Sequence, residues 1–471
     1  MSATQAPIAG TLHSMDALHL AVSFAALYIF YLVGTTVYDV YFGPMSKYPG
    51  PKLDAISVVP GIRSMIYGDD VKDHVALHAQ YGPIVRVGPR TLSYANGATG
   101  FKDIYGFGKK GLSKDPQFYG HTLNKVPSII TADDANHSRQ RKILSHAFSD
   151  RALKEQEPLF KRWIELMRSK LQEQAERGYK VDMLKFYNCT TFDIMGDLTF
   201  AEGLNMLNDS EYSPWVKAIF NGIKAGTMIR GIKMYSKLTS YLVEEVFFNT
   251  NFVRKKQMEH WNYSKDRVDR RLARTPDRPD LWTKIIEKSE GPDGLSLGEH
   301  HSNASLFMIA GTETTATALS GTSYQLMTNP ESLAKLANEI RSQVSSSDEL
   351  TLEFLARQKY LNAVLQEGLR MYPPVPSALP RVTPPGGAAI CGEWVPGGVQ
   401  IGVHHTSTYR NEDLFRKPFE YHPERWLGDP EFANDKLDSL EPFSVGPRNC
   451  LGKVCTAPAS GVRCQAWYGS C

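Results

Sequence analysis

An uncharged and mostly apolar run of 22 residues lies between Asp16 and Asp39, near the start of the 471-residue chain. A membrane-spanning helix needs about 20 such residues, so the run predicts a single N-terminal membrane anchor within residues 1–45. No Lys or Arg precedes the run, whereas Lys47 and Lys52 follow it, which favours a cytoplasmic location for the rest of the chain. A buried helix is the alternative interpretation.

Short β-type stretches are confined to a few places after this run. The sequence Tyr-Pro-Gly-Pro at 48–51 predicts a stiff hinge. The stretches 84–87 and 91–94 are separated by Gly-Pro-Arg and predict a hairpin, and the alternating pattern of 388–403 predicts strands with a tight turn. The stretch 105–119 is rich in Gly, Lys and aromatic residues without a helical period, so it predicts a loop.

Helical periodicity covers most of the remaining chain. It is present in 133–150, over most of 153–274 and in 360–372. The pattern therefore predicts a mainly α fold with a smaller β-rich part.

The longest helix is predicted to begin near Glu299. Between Glu299 and Glu331 the only formally charged residue is Glu313, so most of this helix should be buried. A buried acid is costly unless it has a partner or a function. Gly311 would let a flat group lie against the helix, and the hydroxyl of Thr314 can bond to a backbone carbonyl. Together these residues predict a polar notch beside a ligand, although a buried Thr is ordinarily structural.

Composition narrows the function only slightly. The net charge of +3 and the pI near 8.3 are too mild for nucleic acid to be the main partner. Six cysteines in a chain of this length do not indicate a disulfide scaffold.

The sequence F-S-V-G-P-R-N-C-L-G, from Phe443 to Gly452, carries the clearest chemistry. It places Cys450 between Gly446 and Gly452, with Arg448 two residues before the cysteine. Small residues let the backbone approach a flat cofactor, and a thiolate that binds iron needs donors close to its sulfur. A lone cysteine in such a loop is usually a small buried hydrophobe, but here the whole pattern predicts a metal ligand.

Two weaker patterns accompany the cysteine loop. His137 and Arg141 are four residues apart and share a helix face, where a solvated basic surface is the alternative. Glu367 and Arg370 stand at i and i+3, which alone would indicate a surface ion pair of little worth. Arg425 lies in a later Pro-Glu-Arg-Trp sequence.

With these motifs in this order, the stretch from about 48 to 453 resembles the cytochrome P-450 superfamily. The resemblance implies that a haem b lies between the long helix and the cysteine loop, with Cys450 as the axial iron ligand. It further implies the following roles: Phe443, Gly446, Arg448 and Gly452 surround the haem, His137, Arg141 and Arg381 bind its propionates, Glu313 and Thr314 relay protons to bound O2, and Glu367, Arg370 and Arg425 form a buried brace behind the haem.

The resemblance also implies a monooxygenase that inserts one oxygen atom from O2 into a hydrophobic terpenoid or polyketide. Electrons would come from an NADPH-cytochrome reductase in the endoplasmic reticulum membrane, docked where Arg416, Lys417, Arg448 and Lys453 add positive charge. The loop 105–119 would cover the substrate pocket, and 377–379 would line it. The segment 137–150 is similar to fungal enzymes of secondary metabolism, including the isotrichodermin C-15 hydroxylase type. Hydroxylation, epoxidation and multistep oxidation remain open.

The resemblance stops after Lys453, and residues 454–471 form an atypical tail. Pro458 and Gly461 interrupt any helix there, where the family has an amphipathic helix and a hairpin. Val454-Cys455 can be encoded by GTATGT, a fungal 5′ splice-site sequence, so the tail is interpreted as translated intron. If the tail is instead genuine, a truncated, haem-poor or inactive relative is an alternative function. A reductase-independent haem-thiolate isomerase or dehydratase is a further alternative, which the intact Glu313-Thr314 pair disfavours.

Overall fold

Helices dominate the computed structural model, which describes residues 9–108, 112–120, 122–247 and 250–455. The helices are α1 Ala9–Tyr41, α2 Lys52–Ile56, α3 Val59–Tyr67, α4 Asp70–Tyr81, α5 Ala98–Tyr105, α6 Pro116–Tyr119, α7 Asp134–Leu144, α8 Asp150–Glu155, α9 Glu157–Glu176, α10 Met183–Phe200, α11 Met206–Asp209, α12 Pro214–Tyr235, α13 Lys237–Tyr241, α14 Asn251–Leu272, α15 Leu281–Lys288, α16 Leu297–Thr328, α17 Pro330–Arg341, α18 Leu352–Arg357, α19 Lys359–Met371 and α20 His405–Tyr409. A π turn covers Leu242–Phe247, and 3-10 turns cover Ser145–Phe148, Ser347–Glu349, Pro423–Leu427, Pro430–Phe432, Leu437–Ser439 and Leu451–Cys455. The predicted mainly α fold is confirmed.

Two small sheets form the β-rich part. The strands are β1 Ile84–Gly88, β2 Thr91–Tyr94, β3 Ser113–Lys114, β4 Arg381–Val382, β5 Ala388–Ile390, β6 Glu393–Val395 and β7 Gln400–Val403. The larger sheet has the order β1-β2-β7-β4-β3, in which β2 and β7 are parallel and the other pairs antiparallel. The predicted β1–β2 hairpin and the strands within 388–403 are confirmed.

The prediction of a loop over 105–119 is wrong in part. Ser113 and Lys114 pair with Val382 and Arg381 as strands β3 and β4. Asp115 then caps α6, its carboxylate accepting from the Gln117 N–H. Strand β3 forms through a long-range pairing with β4, so no local pattern in the sequence predicts it.

Helix α16 begins at Leu297 because Ser296 and Glu299 form a capping box. It packs closely on α10 at its centre. A Cβ added to Gly311 would lie 2.8 Å from the Met195 sulfur. Gly311 therefore makes room for α10 and not for a flat ligand, which corrects the sequence-based interpretation.

The continuous helix predicted over 133–150 is interrupted. Helix α7 ends at Leu144, a 3-10 turn follows, and Ser149 caps the start of α8 through the Ala152 N–H. His137 and Arg141 nevertheless lie on one helix, α7, as the sequence predicts.

Helix α1 is long and apolar enough over His19–Tyr41 to cross a membrane, with a mean hydropathy of 1.9. The segment after it is docked on the sheet and is not a free hinge. The Tyr48 hydroxyl donates to the Trp394 carbonyl at 3.3 Å. The buried Arg86 donates to the Asp39 carbonyl at 3.2 Å, near the C-terminal end of α1, where helix carbonyls lack partners within the helix.

Candidate active site

The cysteine loop is held in a tight turn against α5. The Cys450 N–H donates to the Phe443 carbonyl at 2.9 Å, which closes the loop. Gly446 has φ +76°, and a side chain there would collide with the Tyr105 carbonyl. Ser444 also has a positive φ, of +57°. This geometry leaves Cys450 exposed at the end of the turn.

Basic side chains from four separate parts of the chain meet beside this loop. Arg141 on α7 donates to the Asn449 carbonyl at 2.6 Å, and burial lowers the pKa of Arg141, an effect that the charge of Cys450 partly offsets. Arg448 donates to the Ala132 carbonyl at 2.8 Å and to the exposed carboxylate of Asp134 at 2.7 Å. Its Nη1 atom is buried without a hydrogen-bond partner within the described ranges.

The other members of this group are His137, Lys114 and Arg381. Burial, followed by the charges of Arg448 and Arg141, lowers the pKa of His137 to about 4. Burial, followed by the charges of Arg448 and Arg381, lowers the pKa of Lys114 to about 7. Burial also lowers the pKa of Arg381. We call these five residues the basic cluster.

The basic cluster is a ready site for an anion. His137 and Arg381 are buried and the other members are half-buried, and neighbouring positive charges help to lower the pKa of His137 and Lys114, which is costly unless negative charge lies nearby. The acid paired with Arg448, Asp134, is 95% exposed and offsets little of this cost. Sequence reasoning missed Lys114, because only its pairing with Arg381 across β3 and β4 brings it to the cluster.

The centre of α16 has an open face. Ala310 is exposed on a helix that is otherwise largely buried. The Thr314 hydroxyl donates to the Ala310 carbonyl at 2.6 Å, so Thr314 borders the same open face. The Oε1 atom of Glu313 is buried with no hydrogen-bond partner in the described part of the chain, and burial raises the pKa of this carboxyl.

A fully buried ionic network is centred on the Glu367 carboxylate. Arg370 donates twice to the Glu367 carboxylate, at 2.8 and 2.7 Å, and Arg425 donates to it at 3.3 Å. Trp426 donates to the same carboxylate at 2.9 Å, and Arg425 also pairs with Asp435. The structure thus brings Glu367, Arg370 and Arg425 together, although they are up to 58 positions apart.

The arrangement of these groups fits a haem. The exposed thiol of Cys450 is a suitable iron ligand, and the basic cluster, with its unpartnered Arg448 nitrogen, matches the negative charge of two propionates. The small exposed Ala310 offers a flat surface on α16. Leu451, next to Cys450, packs on the apolar cluster that includes Phe307 of α16.

Comparison with known proteins decides the family. Residues 57–455 match the family described as Cytochrome P450. The chain belongs to the cytochrome P450 family. It is 51% identical over 437 residues to cytochrome P450 monooxygenase efuB of Hormonema carpetanum, covering 91% of this chain and 86% of that protein.

Other fungal relatives match a similar share of the chain at lower identity. Cytochrome P450 monooxygenase astA of Talaromyces wortmannii is 40% identical, over 92% of this chain and 87% of its own. Averantin hydroxylase of Dothistroma septosporum is 39% identical, over 89% and 78%. This P450 is therefore a fungal monooxygenase of secondary-metabolite biosynthesis.

The predicted docking surface for a reductase stays a prediction, and the structure describes the four basic residues assigned to it. Arg448 is turned into the basic cluster, with its side chain 11% exposed. Arg416 and Lys417 both pair with Glu431, and Lys453 lies 4.0 Å from the Glu441 carboxylate. The predicted tail, 454–471, lies outside the described residues beyond Cys455.

Proposed function

We propose that this P450 holds a haem b through Cys450 and inserts one atom of O2 into a hydrophobic secondary metabolite. The observation that carries the proposal is the exposed Cys450 thiol beside the buried basic cluster. When bound, a thiolate-ligated haem supplies the activation of O2. The protein contributes binding, orientation and proton delivery.

The basic cluster would bind the two propionates. Arg141, Arg381 and Arg448 offer planar guanidinium groups that match carboxylates, and His137 and Lys114 add donors. Phe443, Gly446 and Gly452 would shape the cradle around the thiolate. Glu367, Arg370 and Arg425 would hold the region behind it rigid.

Glu313 and Thr314 would move protons to oxygen at the open face of α16. Because burial raises the pKa of Glu313, its carboxyl can hold a proton, and its unpartnered Oε1 has no competing donor among the described residues. Thr314 lies one residue away with its hydroxyl on the Ala310 carbonyl. A small rotation of that hydroxyl would let it bond to a water instead.

The substrate class is proposed as a terpenoid or polyketide, and hydroxylation as the reaction. The likeness of 137–150 to the isotrichodermin C-15 hydroxylase type and the similarity to averantin hydroxylase both support hydroxylation of a C–H bond.

Electron supply gives a test that needs no substrate. The full-length protein is combined in vesicles with a fungal NADPH-cytochrome reductase under carbon monoxide. We expect NADPH with reductase to produce the same thiolate-type carbon monoxide band that dithionite produces. A band with dithionite alone would favour the reductase-independent isomerase or dehydratase, and folded protein with no band would favour the inactive relative.

We also propose attachment to the endoplasmic reticulum membrane with the catalytic part in the cytoplasm. Exposed apolar residues on α3 and α12 accompany the anchor α1: Ile66, Tyr67, Met228, Ile232 and Tyr235. Helices α3 and α12 are in contact at Gly231 and Ile62, so these residues are close together. Their combined surface is suited to rest on lipid.

Truncation tests the attachment. A chain that begins at Asp39 removes the apolar helix but keeps the buried Val40, Met45 and Tyr48. We expect it to fold, as judged by circular dichroism, and a larger share of it than of the full-length chain to be recovered from membranes without detergent. A truncated chain that still needs detergent would contradict α1 as the principal anchor.

A further inference from the structure

Arg230 on α12 is a half-buried cation to which the proposed chemistry assigns no role. The side chain is half-buried, with its guanidinium carbon 4.6 Å above the Phe118 ring of α6. Its Nε atom is buried without a hydrogen-bond partner in the chain as described. A partly desolvated guanidinium with an unmet donor favours an anionic or polar ligand.

The acid that acts on Arg230 is already engaged elsewhere. The charge of Asp70 raises the pKa of Arg230, while burial, the larger effect, lowers it. The Oδ2 atom of Asp70 accepts a hydrogen bond from the Ser377 hydroxyl at 3.0 Å. The negative charge of Asp70 therefore offsets the positive charge of Arg230 only at a distance.

Arg230 is linked to the candidate active site by a short series of rings. Phe118 contacts Tyr119 edge to face, with 5.0 Å between ring centroids. The ammonium of Lys114, a member of the basic cluster, lies 4.4 Å from the centre of the Tyr119 ring. On the other side, Asp70 and Ser377 connect Arg230 to the 377–379 segment. Arg230 thus lies against α6 and is connected through these neighbours to the basic cluster on one side and to the 377–379 segment on the other.

We propose that Arg230 binds a carboxylate on the substrate, so that the substrate of this P450 is an amphipathic organic acid. The proposal rests on the proposed function, because it assumes that the substrate passes between α6 and α12 to the haem. A guanidinium binds a carboxylate through two parallel hydrogen bonds, and the Phe118 ring below supports its planar face.

The test compares an acid with its uncharged ester. Dodecanoic acid and methyl dodecanoate are titrated into the full-length, haem-loaded protein at pH 7, and binding is measured by equilibrium dialysis with labelled ligand. We expect the acid to bind more tightly than the ester. The substitution Arg230→Gln should weaken acid binding by about tenfold or more, the usual worth of a charged hydrogen bond, and leave ester binding unchanged.

Three further variants sharpen the result. Arg230→Lys keeps the charge and should restore part of the acid affinity. Asp70→Asn removes a competing carboxylate and should tighten acid binding. Arg267→Gln is the matched control: Arg267 is also half-buried, lies 3.7 Å over the Tyr263 ring and has an unpartnered Nε, but it is on α14 beside Glu202 and Asp266. It should bind both ligands like the wild type.

Equal binding of acid and ester by the wild type overturns the proposal, as does a wild type that binds no acid. An Arg230→Gln variant that loses both ligands equally while keeping the wild-type melting temperature overturns it too. The thiolate-type carbon monoxide band is recorded on the same samples. A normal band with any of these outcomes rejects the role of Arg230 while leaving the proposed function intact, whereas a missing band rejects the proposed function itself.

Discussion

At the scale of single residues, the candidate site contains buried polar atoms that have no hydrogen-bond partner in the described part of the chain. Glu313 carries such an oxygen on α16, and Arg448 carries such a nitrogen in the basic cluster. Unmet hydrogen bonds in low-dielectric surroundings cost stability, so they are kept where a ligand or a reaction uses them. The sequence motifs identified both residues, but their isolation from other polar groups is visible only in the fold.

Replacing Glu313 tests its role as a proton carrier. Glu313→Gln removes the transferable proton but keeps size and polarity, so oxygenated product per NADPH consumed should fall about 100-fold for the metabolite that the wild type oxidises. Glu313→Asp should retain part of the yield. Glu331→Gln, at an exposed acid just beyond α16, serves as the control. An unchanged product ratio in Glu313→Gln would exclude the relay.

Buried histidines predict how stability depends on pH. Burial lowers the pKa of His405 to about 4, whereas the unfolded chain titrates near the ordinary value of 6.5. Between pH 6.5 and 4 the unfolded state binds the extra proton, so stability falls as the pH falls, by about 1.4 kcal/mol per pH unit for each such group. His78, His137 and His300 shift in the same direction, whereas Asp193, raised to about 6, opposes them.

His405→Asn isolates one of these groups. An amide can still donate to the Val375 carbonyl, which accepts from His405 Nδ1 at 2.7 Å, but it cannot gain a proton. We expect the free energy of unfolding, from denaturant titrations at pH 7 and pH 5, to drop less in this variant than in the wild type. The exposed His146→Asn variant should show the wild-type drop. Equal drops in all three proteins would contradict the assignment.

At the scale of secondary-structure elements, the local sequence pattern predicts those elements that local interactions stabilise. The β1–β2 hairpin and the long buried helix followed from turn residues and from the absence of charge. Strand β3, by contrast, exists only because Lys114 meets Arg381 across the sheet. The sequence pattern assigns Gly311 the wrong role for the same reason, since its neighbour Met195 is 116 positions earlier in the chain.

The buried brace formed by Glu367, Arg370 and Arg425 joins α19 to the 3-10 turn at 423–427. Glu367→Gln would leave two fully buried guanidinium groups without their shared charge, and breaking a buried pair costs about 3–5 kcal/mol. Denaturant titration of Glu367→Gln should show this loss, with reduced haem content. Glu353→Gln, which breaks an exposed pair with Arg357, should cost less than about 1 kcal/mol. Similar losses in the two variants would contradict the brace.

At the scale of the whole molecule, the proposed haem site is assembled from distant parts of the chain. Lys114 comes from β3, His137 from α7, Arg381 from β4 and Cys450 from the last described loop. Their convergence, with cations facing one another, means that an anionic cofactor stabilises the folded chain by binding only to it. Folding and haem binding are therefore expected to be coupled.

The central claim is that Cys450 ligates a haem iron. The most direct measurement is the carbon monoxide difference spectrum of the reduced, full-length protein. We predict a band at the position characteristic of thiolate ligation in the wild type and in Cys391→Ser, and its loss in Cys450→Ser. A folded wild type without this band, or a Cys450→Ser variant that keeps it, would contradict the claim.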